Sequence, residues 1–412
     1  MNELLLLGIV FVFSIYQAYR YARIDIELDF ATWALWGITG AVYGKDFLDC
    51  KTPAVHLWYL LLSKIKQDHQ VMRFIHYSFL SVLGLIYYLL SKDATGTAIF
   101  IVLVHSGFLY AFNGNVGDIP AGLILISFTI TNPWIFVTLM VLIVFYEPKL
   151  VLSVLAMMLY RITDIWLPTL TWGAVLLVIA GYLWYYKHEI WQNLWYQNIT
   201  IPKRMTKYRK GLYMFMPGYT SSVFLYLFPL FAIGIYYKPD ILYWLPMFLY
   251  IGFIALGKVI RTQHMMPVIA WIAGAGMPVE IAIALTIIDY SAAGLYIGDI
   301  WNRFYSGMKQ TIEDARKIGL ALRELQGTLW VNSTNPEIYI WAKKKPPYGM
   351  LELVEINHVA IERREKMLIR LYEYPADWIV DMPGGVGIHY DFKGYRLQGS
   401  VGMFNIYQRI KK

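Results

Sequence analysis

Asp29 stands in IDIELDFATWALWGITGAV, just after a first apolar segment and ahead of a stretch whose aromatic spacing suits a helix lying in a membrane interface. A carboxylate there can serve as general base on an acceptor hydroxyl, and it can equally be a solvated flank. Residues 43–53, YGKDFLDCKTP, gather Lys45, Asp46, Asp49 and Lys51 in one polar island, closed by Pro53 and followed by AVHLWYLLL. Asp118 in NGNVGDIPAG falls where a helix should begin. A carboxylate suits that dipole end, so capping and catalysis both fit. GKVIRTQHMMP holds Lys258, Arg261 and His264 within two turns. Basic side chains at a helix end also snorkel toward the interface, and a single histidine is commonly just packed there.

Other ionisable residues read as structural. His76 and His105 lie on separate apolar segments without a partner at ligand spacing, which favours packing over metal binding. Glu280 and Asp289 fall inside the last apolar segment, where an ionised group is costly and faces protein. GGVG near the end lacks the strand–glycine–helix context of a dinucleotide site. NIT at 198–200 and NST at 332–334 match glycosylation sequons, relevant only in a host that modifies exported asparagines.

The elements that must position these residues are mostly membrane helices. The chain has 412 residues, 58% of them hydrophobic, and a mean hydropathy of +0.46, too apolar for a soluble domain at roughly 45–50%. Long apolar runs end before about residue 298, so a membrane domain over 1–298 and a soluble domain over 299–412 are expected. Apolar length places about eleven membrane helices near 3–20, 71–90, 96–112, 119–131, 133–146, 149–162, 167–186, 220–237, 241–258, 265–276 and 278–297. The first lacks a basic start and a small-residue cleavage site and is expected to be retained. Segment 21–70 is too charged to span, but ATWALWGITGAV and PAVHLWYLLLSKI read as interfacial amphipathic helices. In the tail, KQTIEDARKIGLALREL has helical spacing, TLWVNS, ADWIVDM and VGMFNIYQRI read as strands, and Asn335-Pro336 opens a short helix.

The single cysteine, Cys50, excludes an intramolecular disulfide and a cysteine-based metal site. The net charge of +8 fits basic residues at membrane flanks, and nucleic acid is not an expected partner. By parity, segment 21–70, the loop at 113–120, segment 187–219, the turn at Arg261 and the tail all emerge on one face. The basic run KRMTKYRK would make that face cytoplasmic.

Read whole, the first loop resembles the first extracytoplasmic loop of GT-C glycosyltransferases, in the branch of protein O-mannosyltransferases and lipid A aminoarabinose transferases. The matching residues are Asp29, Gly40, Tyr43, Asp46, Lys51 and Pro53, with Phe30 where a second acid often follows. Arg261 and His264 resemble the family's later Arg/His/Pro segment, with Met265 in place of the usual Tyr and Pro267 early. TLWVNSTNPEIYIWAKKKPP and ADWIVDMPGG resemble its soluble tail, so the likeness runs along essentially the whole chain.

The resemblance implies an α-helical polytopic membrane protein of GT-C type with a small C-terminal α/β domain. It implies transfer of a sugar from a polyprenyl-phosphate donor to a lipid, glycan or protein acceptor hydroxyl at the extracytoplasmic face, by an inverting displacement. That orientation takes precedence here over the charge bias. Asp29 would take the acceptor proton, and Asp118, where the family often has an acid, would orient the acceptor or a cation. Lys51, Lys258, Arg261 and His264 would meet the leaving phosphate, since Arg offers a planar fork to phosphate oxygens and Lys a point charge. Tyr43, Asp46 and Pro53 would shape the loop. No metal ligands are assigned, and the cofactor stays open between none and a divalent cation. The rival class is a transporter or channel with a soluble accessory domain, which calls for paired ionisable residues and broken helices at the bilayer midplane.

Overall fold

The computed structural model describes residues 3–23, 28–48, 52–106, 117–208, 220–256, 265–289, 306–333, 335–347, 350–351, 361–383 and 389–410. Its helices begin with α1 (Glu3–Ala22), α2 (Leu28–Thr39), α3 (Pro53–Ile65), α4 (His69–Ser91), α5 (Ala94–Val104) and α6 (Asp118–Ser127). They continue as α7 (Pro133–Tyr146), α8 (Val151–Leu159), α9 (Ile162–Tyr186), α10 (His188–Trp195) and α11 (Ile201–Tyr208). Then come α12 (Thr220–Tyr237), α13 (Ile241–Leu256), α14 (Val268–Ala273), α15 (279–289), α16 (Ser306–Arg323), α17 (Glu337–Ala342) and α18 (Ile361–Glu373). The strands are β1 (Phe47–Leu48), β2 (Leu329–Asn332), β3 (Met350–Leu351), β4 (Trp378–Asp381), β5 (Tyr395–Val401) and β6 (Phe404–Arg409).

Among the described residues, α1, α4 and α9 are long and apolar enough to cross a membrane, and the other apolar helices are shorter. In α9 only 11% of the apolar window is buried, with Leu177 75% and Val178 71% exposed. An apolar surface of that kind fits a lipid surround. The chain divides into two compact units: Met1–Arg23, Arg73–Gly181 and Arg209–Asp299 form the first, and Ile24–Met72, Tyr182–Tyr208 and Ile300–Lys412 the second. The first loop and the segment before 209 thus group with the tail.

In the first unit, local chemistry fixes several helix ends. Asp93 accepts the Gly96 amide at 2.8 Å to start α5. Asn132 accepts the amides of Trp134 and Ile135 at 3.0 and 3.2 Å, and Pro133 takes the first helical position of α7, where its missing N–H costs nothing. Gly122 lets α6 lie against α4: a Cβ there would sit 2.5 Å from Leu83 Cδ1 and 2.9 Å from Leu83 Cβ.

In the second unit, α2 packs on α3 through Gly37, where an added Cβ would meet Ser63 Cβ at 2.6 Å. Tyr59 receives Phe30 edge-on at 5.2 Å and stacks with Trp33 at 6.0 Å. The tail sheet has the order β2-β4-β6-β5. Strands β2 and β4 run parallel and the other pairs antiparallel. Trp330, Leu371, Ile379 and Tyr390 form its core, with α18 covering one face. The outward Val331 amide of edge strand β2 donates to the Tyr339 hydroxyl at 2.8 Å. The opposite edge, β5, carries a register irregularity between Leu397 and Gly399.

Candidate functional site: a buried polar cluster among the apolar helices

Two of the long apolar helices each carry a polar stripe. On α1, Ser14, Gln17 and Tyr21 recur at helical spacing and are at most 1% exposed. On α4, Arg73, Tyr77 and Ser81 follow at intervals of four with His76 on the same side, and all but partly exposed neighbours such as Ser78 are buried. Polar side chains withdrawn from solvent in this way cost free energy unless they meet one another. Several of them do.

Ser14 Oγ lies 2.7 Å from Ser81 Oγ, and Ser81 Oγ lies 2.9 Å from His105 Nε2. Proton accounting orders the chain. Ser14 spends its single hydroxyl proton on the Phe11 carbonyl at 2.7 Å, so Ser81 must donate to Ser14 and His105 Nε2–H to Ser81. His105 Nδ1, buried without a hydrogen-bond partner among the described residues, is then the bare nitrogen of a neutral imidazole. Tyr21 donates to the His105 carbonyl at 2.6 Å, and its ring meets Tyr77 edge-on at 5.3 Å. Next along the chain, Ser106 donates to Asp289 Oδ1 at 2.6 Å. Gln17 is fully buried, and neither end of its amide has a hydrogen-bond partner among the described residues.

The ionisable end of the cluster joins α4 to α6. Asp118, the first residue of α6, is wholly buried, and its Oδ2 lies 3.7 Å from His76 Nε2. That separation is within ion-pair reach and beyond a hydrogen bond, so a small movement brings the two into contact. Arg73, 1% exposed, sits one turn earlier on the same helix. At about 1.5 Å per residue, Arg73 and His76 lie roughly 6 to 11 Å from the start of α4, and Ser81 near its middle. On α4, Arg73 and His76 therefore lie toward one end and Ser81, which belongs to the neutral relay, near the centre. A carboxylate beside an imidazole can accept a proton from a bound hydroxyl, and a guanidinium can hold an anionic group next to it.

The residues expected from the sequence are distributed as follows. Asp118 falls in this cluster. Asp29 belongs to the first turn of α2, and its side chain lies outside the described residues, as do Lys51, Lys258, Arg261 and His264. Tyr43 stacks on His56, ring centroids 4.4 Å apart at 29°, and meets Phe47 edge-on at 5.7 Å. Asp46 accepts the Val42 amide at 2.9 Å and has Lys345 Nζ at 4.0 Å, and Pro53 opens α3. Among the described residues, no group of three His, Cys, Asp or Glu side chains could hold a metal ion.

Sequence reasoning passed over Arg73, and read His76 and His105 as packing residues and Asp289 as structural. The available signal was an Arg and a His three residues apart inside a 23-residue apolar helix, since an ionisable residue within a membrane helix is by default a functional-site candidate. No protein-family model, curated protein or solved structure matches the chain.

Proposed function

We propose that the protein is a GT-C type membrane glycosyltransferase, with about eleven spans, that moves a sugar from a polyprenyl-phosphate carrier to an acceptor hydroxyl at the extracytoplasmic face. The observation that carries the reading is the buried Asp118–His76 pair with Arg73 one turn away. In this reaction the acceptor oxygen forms a bond to the anomeric carbon and its proton passes to a carboxylate. The bond from that carbon to the phosphate oxygen breaks with inversion, and its electron pair leaves with the polyprenyl phosphate. The leaving group is already a stable anion, so the enzyme gains most by holding its charge in the transition state. Arg73 does so in this reading, together with Lys258, Arg261 and His264, and the resemblance adds Lys51. Asp118 and Asp29 are the two carboxylates that fit the base.

The second reading, an ion-coupled transporter, is favoured by the Ser14–Ser81–His105 relay, whose two serines lie near the middle of α1 and α4. Against it, the relay is neutral by its own proton accounting, and Arg73 and His76 lie toward one end of α4.

The deciding assay incubates the purified protein with synthetic polyprenyl-phosphate sugars and measures release of the polyprenyl phosphate. Asp118→Asn or Asp29→Asn, whichever removes the base, should lower turnover by about 10² to 10⁴ while leaving donor binding nearly intact. Normal turnover in both variants would sink the mechanism. Sugar uptake by sealed vesicles without lipid turnover would favour the transporter.

A further inference from the structure

A cavity of about 360 Å³ lies in the helical unit at the far end of α6 from Asp118. Ten residues separate the ends of that helix, about 15 Å at 1.5 Å per residue. The cavity is bounded by the ends of α6, α8 and α12 and the beginnings of α7, α9 and α13, with Phe128, Met157, Pro246 and Trp271 supplying apolar wall. Such a volume lies within the usual span of small-ligand sites, roughly 300 to 1,000 Å³.

Two cations line it, both half-buried: Arg161 and Lys238. Arg161 is held in place by donating to the Ile130 carbonyl and, at 2.8 Å, to the Thr131 carbonyl, with its guanidinium 4.5 Å from the centre of the Phe136 ring. Two of its five N–H groups are used there, leaving others to face a ligand. Lys238 Nζ rests 4.6 Å from the centre of the Tyr243 ring. Neither cation forms an ion pair with a carboxylate among the described residues. The lining carboxylate, Asp240, is exposed and accepts the Leu242 amide at 2.9 Å. The site therefore carries net positive charge at its polar part, above an aromatic pocket.

We infer that this cavity binds an anionic membrane phospholipid, its phosphate between Arg161 and Lys238 and the first carbons of its chains against Phe128 and Trp271. Charge complementarity selects an anionic headgroup, and the apolar wall selects an amphiphile over a free ion. Basic pockets between membrane helices are suited to such headgroups, each cation contributing a modest attraction. The inference is independent of the proposed transfer chemistry, which draws on the opposite end of α6.

The test uses the full-length protein in a neutral detergent, following its unfolding temperature during titration with dioctanoyl phosphatidylglycerol, dioctanoyl phosphatidylcholine or inorganic phosphate. Phosphatidylglycerol should raise the unfolding temperature saturably, while the other two at equal concentration should not. Lys238→Gln, which removes the charge and keeps a polar side chain one atom shorter, should raise the half-saturating concentration about five-fold, and Arg161→Gln should do at least as much. Arg161 also ties down the turn before α7, so Lys238→Gln remains informative if the Arg161 variant fails to fold. Equal stabilisation by phosphatidylcholine, or an unchanged midpoint in Lys238→Gln, would overturn the site. Equal stabilisation by inorganic phosphate would assign it to a free anion and overturn the lipid.

Discussion

Glu337, in the tail, is 1% exposed, with one carboxyl oxygen 2.6 Å from Asn335 Nδ2 and the other buried without a hydrogen-bond partner among the described residues. Burial raises its pKa from an ordinary 4.5 to about 7, against the opposing effects of the Asn335 hydrogen bond and its own backbone amide. The sign follows from linkage. Below pH 4.5 the folded and unfolded states both hold the proton and no penalty exists. Between 4.5 and about 7 the unfolded state ionises first, so stability falls as pH rises, and the loss is complete above about 7. At about 1.36 kcal/mol per pH unit the full loss is about 3 kcal/mol. Glu337→Gln removes the titration while keeping the shape, and the Asn335 amide can rotate to accept from the new side chain. The assay is hydrogen exchange, read by mass spectrometry over peptides spanning β2 and α17 in the intact protein and corrected for the intrinsic pH dependence of exchange. At pH 8 the Gln variant should be more protected, by on the order of 10²-fold, and at pH 4 indistinguishable from the parent. A variant no better protected at pH 8, or equally better protected at both values, would refute the linkage.

Two further outcomes follow from packing and surface charge. Gly37→Ala drives a methyl group into Ser63, 2.6 Å away, and toward the Tyr59 carbonyl, 3.0 Å away, and should destabilise α2 and α3 by about 1 to 3 kcal/mol in thermal unfolding; an unchanged transition would show that the helices yield freely. The fork from Arg204 to Glu362, both bonds 2.8 Å, holds the carboxyl pKa down at about 2, so its contribution is present above 4.5 and fades as pH falls toward 2. Because Glu362 is largely exposed, Glu362→Gln should cost less than about 1 kcal/mol at neutral pH and nothing measurable in high salt; a larger, salt-insensitive loss of protection over α11 and α18 would contradict this.

The sequence anticipates elements best where the punctuation is chemical. Asn132-Pro133 gives α7 the start expected for it, and its observed span, Pro133–Tyr146, is the one that apolar length suggests. The two stretches assigned to interfacial helices become α2 and α3, displaced by a few residues at most. The segment expected over 149–162 stops at Leu159 because the chain turns at Tyr160 and Arg161, and Arg161 then reaches back to the carbonyls before α7. An apolar run gives no hint of such a clamp. Of the candidate site, sequence reasoning singled out only Asp118, although Arg73 and His76 inside an apolar helix were there to be read. The partner of Asp118, His76, lies 42 positions earlier, and Ser14 on α1, Ser81 on α4 and His105 just past the end of α5 are brought together by packing, as at Gly122, and not by local periodicity. The grouping of 24–72 and 182–208 with the tail is likewise invisible in composition, since contacts between distant segments leave the composition of each unchanged; only the parity argument, which sends 21–70, 187–219 and the tail to one face, points toward it.

The sheet of the tail is finished at both margins. Val331 turns its outward amide to the Tyr339 hydroxyl on one side, and the irregularity at Leu397 and Gly399 bends the ladder on the other. Proteins held in a bilayer meet their own copies at high local density and in a shared orientation, conditions under which an open strand edge would recruit its counterpart on a neighbouring molecule. In the membrane placement proposed above, blunting both margins lets the tail be crowded on a surface without polymerising, so overexpression should be limited by insertion into the bilayer before it is limited by strand-to-strand aggregation.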